Sequence, residues 1–370
     1  MEYTVLTINP GSTSTKIGVV RGKDVIMDLT IDYKESDFPG CETIRDQVPI
    51  REEQILQYLK DAGIELDTID AVSARGVSVV PCEGGTYEIN DLMYQHSYDN
   101  IIHLDHHPAV YAVMMGKHIA ERLGVPAFSV NPMPTDEFCD LARMTGMKGV
   151  YRPSRLHSLN MKQVAIHHSE LQGKRYEDCN YVVMHLGGGC SIAAHEKGRS
   201  IDGTRNGDGQ GPIQPNRVGD FCTADFRSFI RQRNLTAEEG FEKCISVKGG
   251  FVDMLGTDDV LAIKQMIREG NTYAALCYDA MEYGMVKWGA AMAGALRGKV
   301  DAVLITGGMA KDEELMKRLE ADLSWIAPVY IYPGSFETEA LGYGAVRVLN
   351  GSEKAKQYSG IPVFSGFETN

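Results

Sequence analysis

Segments rich in β-branched and aromatic residues alternate along the chain with segments of helical periodicity. The apolar pattern predicts strands at residues 3–9, 16–20, 69–74, 127–130, 181–186, 191–195, 301–305 and 329–332. Apolar positions three and four residues apart predict helices over 51–62, 108–123, 158–171, 272–296 and 337–349. Strands that alternate with helices indicate an α/β protein. A length of 370 residues favours two domains.

Three glycine-containing turns follow predicted strands. The first lies within Asn9 to Lys16 (NPGSTSTK) and joins two strands of a hairpin. The second is the triple glycine 187–189, again between two strands, and the third is Gly307-Gly308, before a predicted helix. The first two turns are 177 residues apart (188 − 11), about half the chain. A duplicated domain is one interpretation of this spacing, and ordinary glycine turns at strand ends are the other.

The chemistry of these turns suits phosphate. Small residues let backbone N–H groups approach a ligand closely. In the first turn, Ser12, Thr13 and Ser14 add hydroxyl donors and Lys16 adds a positive charge. The turn is not a Walker loop, because the G-x-x-x-x-G-K-[ST] spacing is absent and no helix follows. Three such turns favour a nucleotide that lies across a cleft between two domains.

Composition and charge narrow the classes of function. Hydrophobic residues make up 43% and charged residues 24%, as in ordinary globular proteins. The net charge of −13 disfavours a general binder of nucleic acid or of anionic membranes. The sequence contains neither an apolar run long enough to span a membrane nor a signal-peptide pattern at its start. The eight cysteines form no Cys-x-x-Cys pair and are interpreted as reduced thiols of a cytoplasmic protein.

The segments NPGSTSTK, HLGGGCS and ITGGMA resemble the two phosphate loops and the adenosine loop of the acetate and sugar kinase, Hsp70 and actin superfamily. Within it the chain is similar to the butyrate kinase group of the acetokinase family. Further matching segments are GPIQPNRVG (211–219), KGGFVDMLGTDD (248–259), KVDAVLITGG (299–308) and APVYIYPG (327–334). The resemblance covers essentially the whole chain. It implies two duplicated ribonuclease-H-like domains with a nucleotide cleft between them, at residues 1–150 and 151–335, with residues 336–370 packed back on the first.

The resemblance also implies an activity. A carboxylate kinase of this kind uses magnesium and transfers the γ-phosphoryl group of ATP to butyrate or a related short or branched acid, giving acyl phosphate and ADP. The reaction is reversible and forms ATP from ADP in the other direction. The alternatives are an acetate or propionate kinase and an ATP-binding regulatory homologue with reduced turnover. A homo-oligomer, a dimer or larger, is expected, with helix 272–296 as either its contact surface or a core helix.

Individual residues are assigned from their positions in the family motifs. Arg75 and Arg217 are expected to neutralise the transferring phosphoryl group, a task that suits the guanidinium fork. His185 is expected to donate a hydrogen bond to that group, and His106, or in another register His107, to lie near the substrate. The expected nucleotide and phosphate ligands are Asn9, Gly11, Ser12, Thr13, Ser14, Lys16, Gly187, Gly188, Gly189, Gly307 and Gly308.

One position departs from the family pattern. Where the family usually has an aspartate that helps to hold magnesium, this chain has Asn131, which offers a carbonyl oxygen without a charge. Asp136 is either a compensating carboxylate or a helix cap. Glu337, or Glu339 in a competing register, resembles a late family glutamate near the metal, although a carboxylate in the first turn of a helix also suits the helix dipole. The predicted metal residues are therefore Glu337 and Asn131.

Overall fold

The computed structural model describes residues 2–104, 107–245 and 248–368 and divides the chain into two compact units. Unit 1 consists of residues 1–136 and 336–370, and unit 2 consists of residues 137–335. The chain enters unit 2 earlier than the expected residue 150. The reason is local pairing, because the Cys139 N–H donates to the Ile201 carbonyl at 2.8 Å and Glu137 binds Lys162, both within unit 2.

The described residues contain twelve strands, seven in unit 1 and five in unit 2. In chain order they are β1 (Thr4–Pro10), β2 (Ser14–Arg21), β3 (Asp24–Asp32), β4 (Ala71–Ala74), β5 (Thr86–Glu88), β6 (Ala127–Val130), β7 (Asn180–Leu186), β8 (Cys190–Glu196), β9 (Arg199–Gly203), β10 (Ala302–Gly307), β11 (Val329–Pro333) and β12 (Lys356–Gln357). All predicted strands are present, and β3, β5, β9 and β12 were not predicted.

The helices of the described residues are α1 (Val48–Asp61), α2 (Asp91–Tyr98), α3 (Ala112–Leu123), α4 (Asp140–Arg143), α5 (Ser158–Leu171), α6 (Thr223–Gln232), α7 (Ala237–Ile245), α8 (Phe251–Leu255), α9 (Val260–Arg268), α10 (Thr272–Ala295), α11 (Glu313–Leu323) and α12 (Glu337–Leu349). The predictions for α5 and α12 are confirmed at both ends. The predicted helix 108–123 begins instead as a 3-10 turn over Pro108–Tyr111 and becomes α-helical at Ala112.

The two sheets share an arrangement of five strands, to which the sheet of unit 1 adds β5 and β12. The sheet of unit 1 has the order β12-β5-β6-β4-β1-β2-β3, and that of unit 2 has the order β11-β10-β7-β8-β9. In each unit the first three strands form an antiparallel meander, and two further strands add in parallel beside the first strand. The duplication suggested by the distance between the glycine turns is therefore confirmed in the strand order.

Each unit is built around its own apolar core. In unit 1 the core joins β1, β2 and β4 to helices α1 and α3, and in unit 2 it joins β7, β8 and β10 to α10 and α11. The short strand β4 is buried along its whole length, as expected of a parallel strand covered on both faces. These central strands set the position of the functional side chains, because the candidate residues follow their carboxyl ends.

Helix α12 returns the chain to the sheet of unit 1. A Cβ at Gly342 would lie 2.4 Å from the side chain of Val20, so only glycine permits this close approach of helix and strand. The amino-terminal end of α12, which begins at Glu337, is thereby placed beside the ends of β1 and β4.

Helix α10 has two different faces. Residues such as Met281 and Met285 lie in the core of unit 2, while Tyr273, Leu276 and Tyr283 are exposed. The core interpretation of this helix is therefore correct for one face, and the oligomeric assembly stays a prediction. Each of the eight cysteines, all of which lie in described segments, is a free thiol. Among the described residues, no helix combines the length and the apolar character that are needed to cross a membrane.

Candidate active site

The candidate residues gather at the carboxyl ends of parallel strands in both units. In unit 1, Asn9 lies at the end of β1 and Arg75 directly follows β4, which pairs with β1 in parallel. In unit 2, His185 and the triple glycine end β7, and Gly307 ends the parallel neighbour β10. Ligands of open α/β sheets bind outside the carboxyl ends of their strands. The strand order therefore places each set of predicted residues where such a ligand binds.

Glu337 joins the two other polar groups at this edge of unit 1. Its Oε2 accepts a hydrogen bond from Asn9 Nδ2 at 2.8 Å, and its Oε1 accepts one from the Arg75 guanidinium at 2.5 Å. Both side chains of the ion pair are largely buried, with 17% of Arg75 and 22% of Glu337 exposed. Glu337 is thus the glutamate whose contacts join Asn9 and Arg75, and its role near a metal ion stays a prediction.

The first glycine turn presents backbone N–H groups to solvent. Ser12 and Thr13 are exposed, and within the described segments neither of their N–H groups donates to a protein acceptor. Gly11 closes the turn by donating to the Ser14 carbonyl at 2.7 Å. Successive unpaired N–H groups in a turn form a concave site for anions. The Lys16 ammonium forms an ion pair with Asp28 at 3.0 Å, and its contact with a phosphate stays a prediction.

Of the two candidate histidines of unit 1, His106 and His107, the structure describes only His107. His106 lies outside the described residues. The backbone N–H of Ala109 donates to Nδ1 of His107 at 3.2 Å, so His107 caps the 3-10 turn that precedes α3. Burial, and then the positive charges of Arg75 and Arg51, lower the pKa of His107 and favour its neutral form.

Asn131 has a clear structural task. It is buried and has a positive φ of 40°, a conformation that asparagine tolerates better than most residues. Its Oδ1 accepts the backbone N–H of Gly85 at 2.8 Å, and its own N–H donates to the Gly85 carbonyl at 2.9 Å. These bonds connect the start of β5 to the end of β6. Asp136 is buried as well, and its backbone N–H donates to the Cys82 carbonyl at 2.9 Å.

His185 in unit 2 is held by two neighbours. The amide of Asn160, in its assigned orientation, donates to Nδ1 of His185 at 2.8 Å. In its neutral form the imidazole therefore carries its proton on Nε2. The ring stacks on His157, with centroids 4.1 Å apart and planes 13° apart. Sequence reasoning missed His157, which forms a 2.8 Å hydrogen bond with Ser191 through Nδ1.

Arg217 sits on a loop that is tied to the triple glycine. The Cys190 N–H, directly after the glycines, donates to the side-chain oxygen of buried Gln214 at 2.9 Å. The Gln214 N–H in turn donates to the Arg217 carbonyl at 3.2 Å. The Nε atom of Arg217 is buried and has no hydrogen-bond partner among the described residues. Burial also lowers the pKa of Arg217. A buried donor without a partner is the arrangement expected of a group that awaits an anion.

Gly307 cannot be replaced without moving the backbone. Its φ is +99°, and a Cβ there would lie 2.2 Å from the Leu186 carbonyl oxygen at the end of β7. Hydrogen bonds of 2.9 and 3.0 Å in both directions join it to Gly334. The next residue, Gly308, faces open space, as does the exposed Gly188 in the neighbouring loop apart from Asn216. The two glycine turns of unit 2 therefore leave room for a ligand.

A cavity of about 680 Å³ opens beside these turns within unit 2. Its lining is mostly apolar and includes Pro215, Val260, Leu261 and Met309, together with Gly187, Gly188 and Gly308. Lys264 and Asp312 also line the cavity, and their side chains form an ion pair at 2.8 Å. A volume of this size and an apolar lining suit the base and ribose of a nucleotide.

Comparisons with known proteins agree with this arrangement. The sequence profile of the acetokinase family matches residues 142–324. A probable butyrate kinase of Clostridium botulinum (strain Eklund 17B / Type B) is 39% identical over 358 residues, which are 97% of this chain and 100% of that protein. A second probable butyrate kinase, from Clostridium botulinum strain Alaska E43 / Type E3, matches to the same extent.

Solved structures show the fold. The acetate kinase of Porphyromonas gingivalis superposes with a TM-score of 0.75 at 20% identity, covering 91% of this chain and 98% of that one. A propionate kinase from Francisella tularensis gives 0.71 at 16% identity, with 92% and 98% covered. The predicted α/β fold with two duplicated domains is thus confirmed as the fold of these acetate and propionate kinases. From the curated relatives at 39% identity over nearly the full length, we conclude that the chain belongs to the acetokinase family.

Proposed function

We propose that this carboxylate kinase transfers the γ-phosphoryl group of ATP to butyrate or a related short or branched acid. The observation that carries the proposal is the grouping of the predicted residues. In each unit they lie together at the carboxyl ends of the central strands, and in unit 2 they border a nucleotide-sized cavity. The relatives at 39% identity are probable butyrate kinases, which favours a four-carbon acid over acetate or propionate.

The reaction needs little covalent chemistry from the protein. An oxygen of the substrate carboxylate bonds to the γ-phosphorus, while the bond from that phosphorus to the bridging oxygen breaks and ADP leaves with the electron pair. A carboxylate is already a nucleophile and needs no general base. Catalysis is therefore positioning and neutralisation of charge on the phosphoryl oxygens.

The roles follow from the geometry of each residue. Unit 2 supplies the Nε of Arg217, a buried donor without a hydrogen-bond partner among the described residues, and the Nε2–H of His185. Unit 1 supplies the N–H groups of Ser12 and Thr13 for phosphate oxygens and Arg75 for the substrate carboxylate or the phosphoryl group. The glycines of unit 2 and its apolar cavity hold the phosphates and the adenosine. Donors aimed at developing charge are the largest contribution that such a site makes.

Magnesium fits this site only as a companion of the nucleotide phosphates. Among the described residues, no group of three His, Cys, Asp or Glu side chains could hold a metal ion by itself. Magnesium bound with phosphates needs only one or two carboxylates and keeps several waters. Glu337 would supply one carboxylate oxygen near the phosphate turn, and Asn131 a carbonyl oxygen whose present partner is Gly85. When bound, the ion would neutralise phosphate charge.

The test is ATP-dependent formation of acyl phosphate, trapped with hydroxylamine, in the presence of magnesium. Linear and branched acids from acetate upward serve as substrates. A preference for acids of about four or five carbons supports the proposal, because that preference requires an apolar site longer than acetate needs. A preference for acetate or propionate would assign the alternative substrate class. ATP binding without product from any acid would instead indicate a regulatory homologue.

A further inference from the structure

Arg51 is the largest fully buried side chain that the proposed mechanism does not use. It lies in the first half of α1 and is 1% exposed. Its guanidinium packs against two aromatic rings, 4.2 Å from the centroid of Tyr33 and 5.0 Å from that of Phe38. A buried arginine requires an explanation, because charged side chains are almost never fully buried unless they are paired.

The guanidinium contacts the inner side of the first glycine turn, residues 11–14, which is proposed to bind phosphate. Its NH1 group donates to Thr15 Oγ1 at 3.1 Å, and its two terminal nitrogens approach the carbonyls of Ser14 and Ser12 at 3.4 and 3.5 Å. The C=O and N–H of a trans peptide point in opposite directions. Because the Ser12 carbonyl faces Arg51, the N–H of the same peptide, that of Thr13, faces away, toward the exposed side of the turn.

Among the residues that the structure describes, no carboxylate pairs with this charge. All polar partners of Arg51 within the described segments are neutral, namely the two carbonyls, Thr15 and the Gln47 side chain, whose Oε1 lies 3.0 Å from NH2. The adjacent Glu52 binds His118 on α3 instead. Burial lowers the pKa of Arg51, but an arginine remains protonated in a protein. An uncompensated buried cation costs free energy, which an anion bound nearby can offset.

We propose that Arg51 is a positioning residue that orients the 11–14 turn from its inner side and supplies the positive charge neutralised by the phosphate bound there. The inference rests on the proposed function, in which this turn binds a nucleotide phosphate. The phosphate contacts the outer N–H groups and not Arg51 itself. The bound phosphate is therefore the counter-ion that the described residues do not provide.

The sharpest test gives Arg51 a counter-ion of its own. Gln47→Glu places a carboxylate where an amide oxygen now accepts from NH2, without changing the size of the side chain. The change should leave the apo protein at least as stable, because the buried charge becomes paired, and should weaken ATP binding about tenfold. The matched control is Gln57→Glu, the same change on the exposed side of the same helix.

A second pair of variants separates charge from shape. Arg51→Met removes the charge and keeps the length of the side chain, so ATP should bind about tenfold more weakly. Arg51→Lys keeps the charge but loses the planar fork, and it should recover part of that affinity. Calorimetric titration with ATP and with adenosine is the readout. Adenosine lacks phosphates, so its affinity should be equal in all variants, and thermal unfolding should show that each is folded.

The outcomes distinguish this inference from the proposed function. Equal ATP affinity of Gln47→Glu and Gln57→Glu, in a wild type that forms acyl phosphate, overturns the inference alone. Equal losses in the Met and Lys variants overturn it too, since charge would then not be the cause. A wild type that binds no ATP overturns both. Weaker ATP binding with unchanged adenosine binding and an undiminished melting temperature in Gln47→Glu supports the inference, because a purely structural role would not separate these readouts.

Discussion

The ion pair at the start of unit 2 allows a quantitative prediction about stability. Lys162 on α5 and Glu137 are 7% and 5% exposed. The ammonium donates to both carboxylate oxygens, at 2.8 and 2.7 Å, and to the Gly198 carbonyl at 2.9 Å, so all three of its protons are used. Glu137 also accepts the Ser200 N–H at 2.9 Å. The pair therefore connects the beginning of unit 2 to α5 and β9.

The perturbation is Lys162→Met, which removes the charge and nearly keeps the volume. Glu137 then remains as a buried carboxylate without its cation, and breaking a buried pair from one side costs about 3–5 kcal/mol. The double variant Lys162→Met/Glu137→Gln removes both charges, and the amide still accepts the Ser200 N–H. Since a neutral pair has no ion to desolvate, we expect the double variant to recover about 2–3 kcal/mol of the loss.

Tryptophan fluorescence during urea unfolding is the assay. Both tryptophans of the chain, Trp288 and Trp325, lie in unit 2, so their emission reports the unfolding of that unit. Lys174→Met, the same change at an exposed position just after α5, is the control and should alter stability by less than about 0.5 kcal/mol. The reasoning is refuted if Lys162→Met costs less than about 1 kcal/mol, or if the double variant is as unstable as the sum of the single variants.

Three further predictions concern catalysis, pH and the departure from the family pattern. Arg217→Ala should lower acyl phosphate formation about 100-fold or more while ATP affinity changes little, as measured by hydroxamate formation and calorimetry, and equal losses in both would contradict its assigned role. The hydrogen bond that His118 donates to the Glu52 carboxylate raises the pKa of His118, so the stabilising contribution of the pair is full below the ordinary pKa and is lost as pH rises through the raised value. His118→Gln should therefore flatten the fall in melting temperature as pH rises above the ordinary histidine pKa of about 6.5, and an unchanged slope would show that the pair is not coupled to stability. Asn131→Asp should keep the melting temperature, because an aspartate oxygen can still accept the Gly85 N–H, and should lower the magnesium concentration needed for half-maximal activity. An unchanged magnesium dependence would leave Asn131 with its structural task alone.

Much of the fold was predictable because the central strands and their helices are strongly patterned. The apolar runs of β1, β7 and β10 and the periodicity of α5 and α12 are local properties, and they were read correctly. Strand β3 was missed because it lies at the sheet edge, where its exposed and half-buried positions alternate and charged residues interrupt the run. Helix α2 carried a readable start signal, since the Asn90 side chain accepts the Met93 N–H, but its apolar stripe is weak.

The candidate residues of each unit were recognisable in the sequence as motifs, but their contacts with one another were not predictable. The residues that contact one another there are far apart in sequence, as in the pairing of Asn9 with Glu337. Nothing local in either segment specifies this contact, which depends on the return of α12 to the first sheet and on its close packing against Val20. For the same reason sequence reasoning left Glu337 and Glu339 as alternatives, of which the structure joins Glu337 to Asn9 and Arg75. His157 was missed because it immediately precedes α5, whereas its partners Ser191 and His185 lie on β8 and β7.

The sequence of α1 contains a local signal for Arg51, namely a charged residue on the face of the helix that packs against the core. The buried positions of α1 are 48, 51, 52, 55, 56 and 59, the spacing of a helix face packed against a core. Two of these six positions carry charged residues, Arg51 and Glu52, in a sequence that otherwise keeps charge on the outer face. Such a violation of the hydrophobic pattern costs stability and is expected mainly at functional positions. Glu52 has its own partner in His118, whereas the partners of Arg51 among the described residues are neutral. The pattern and the contacts together therefore indicate the turn that Arg51 supports.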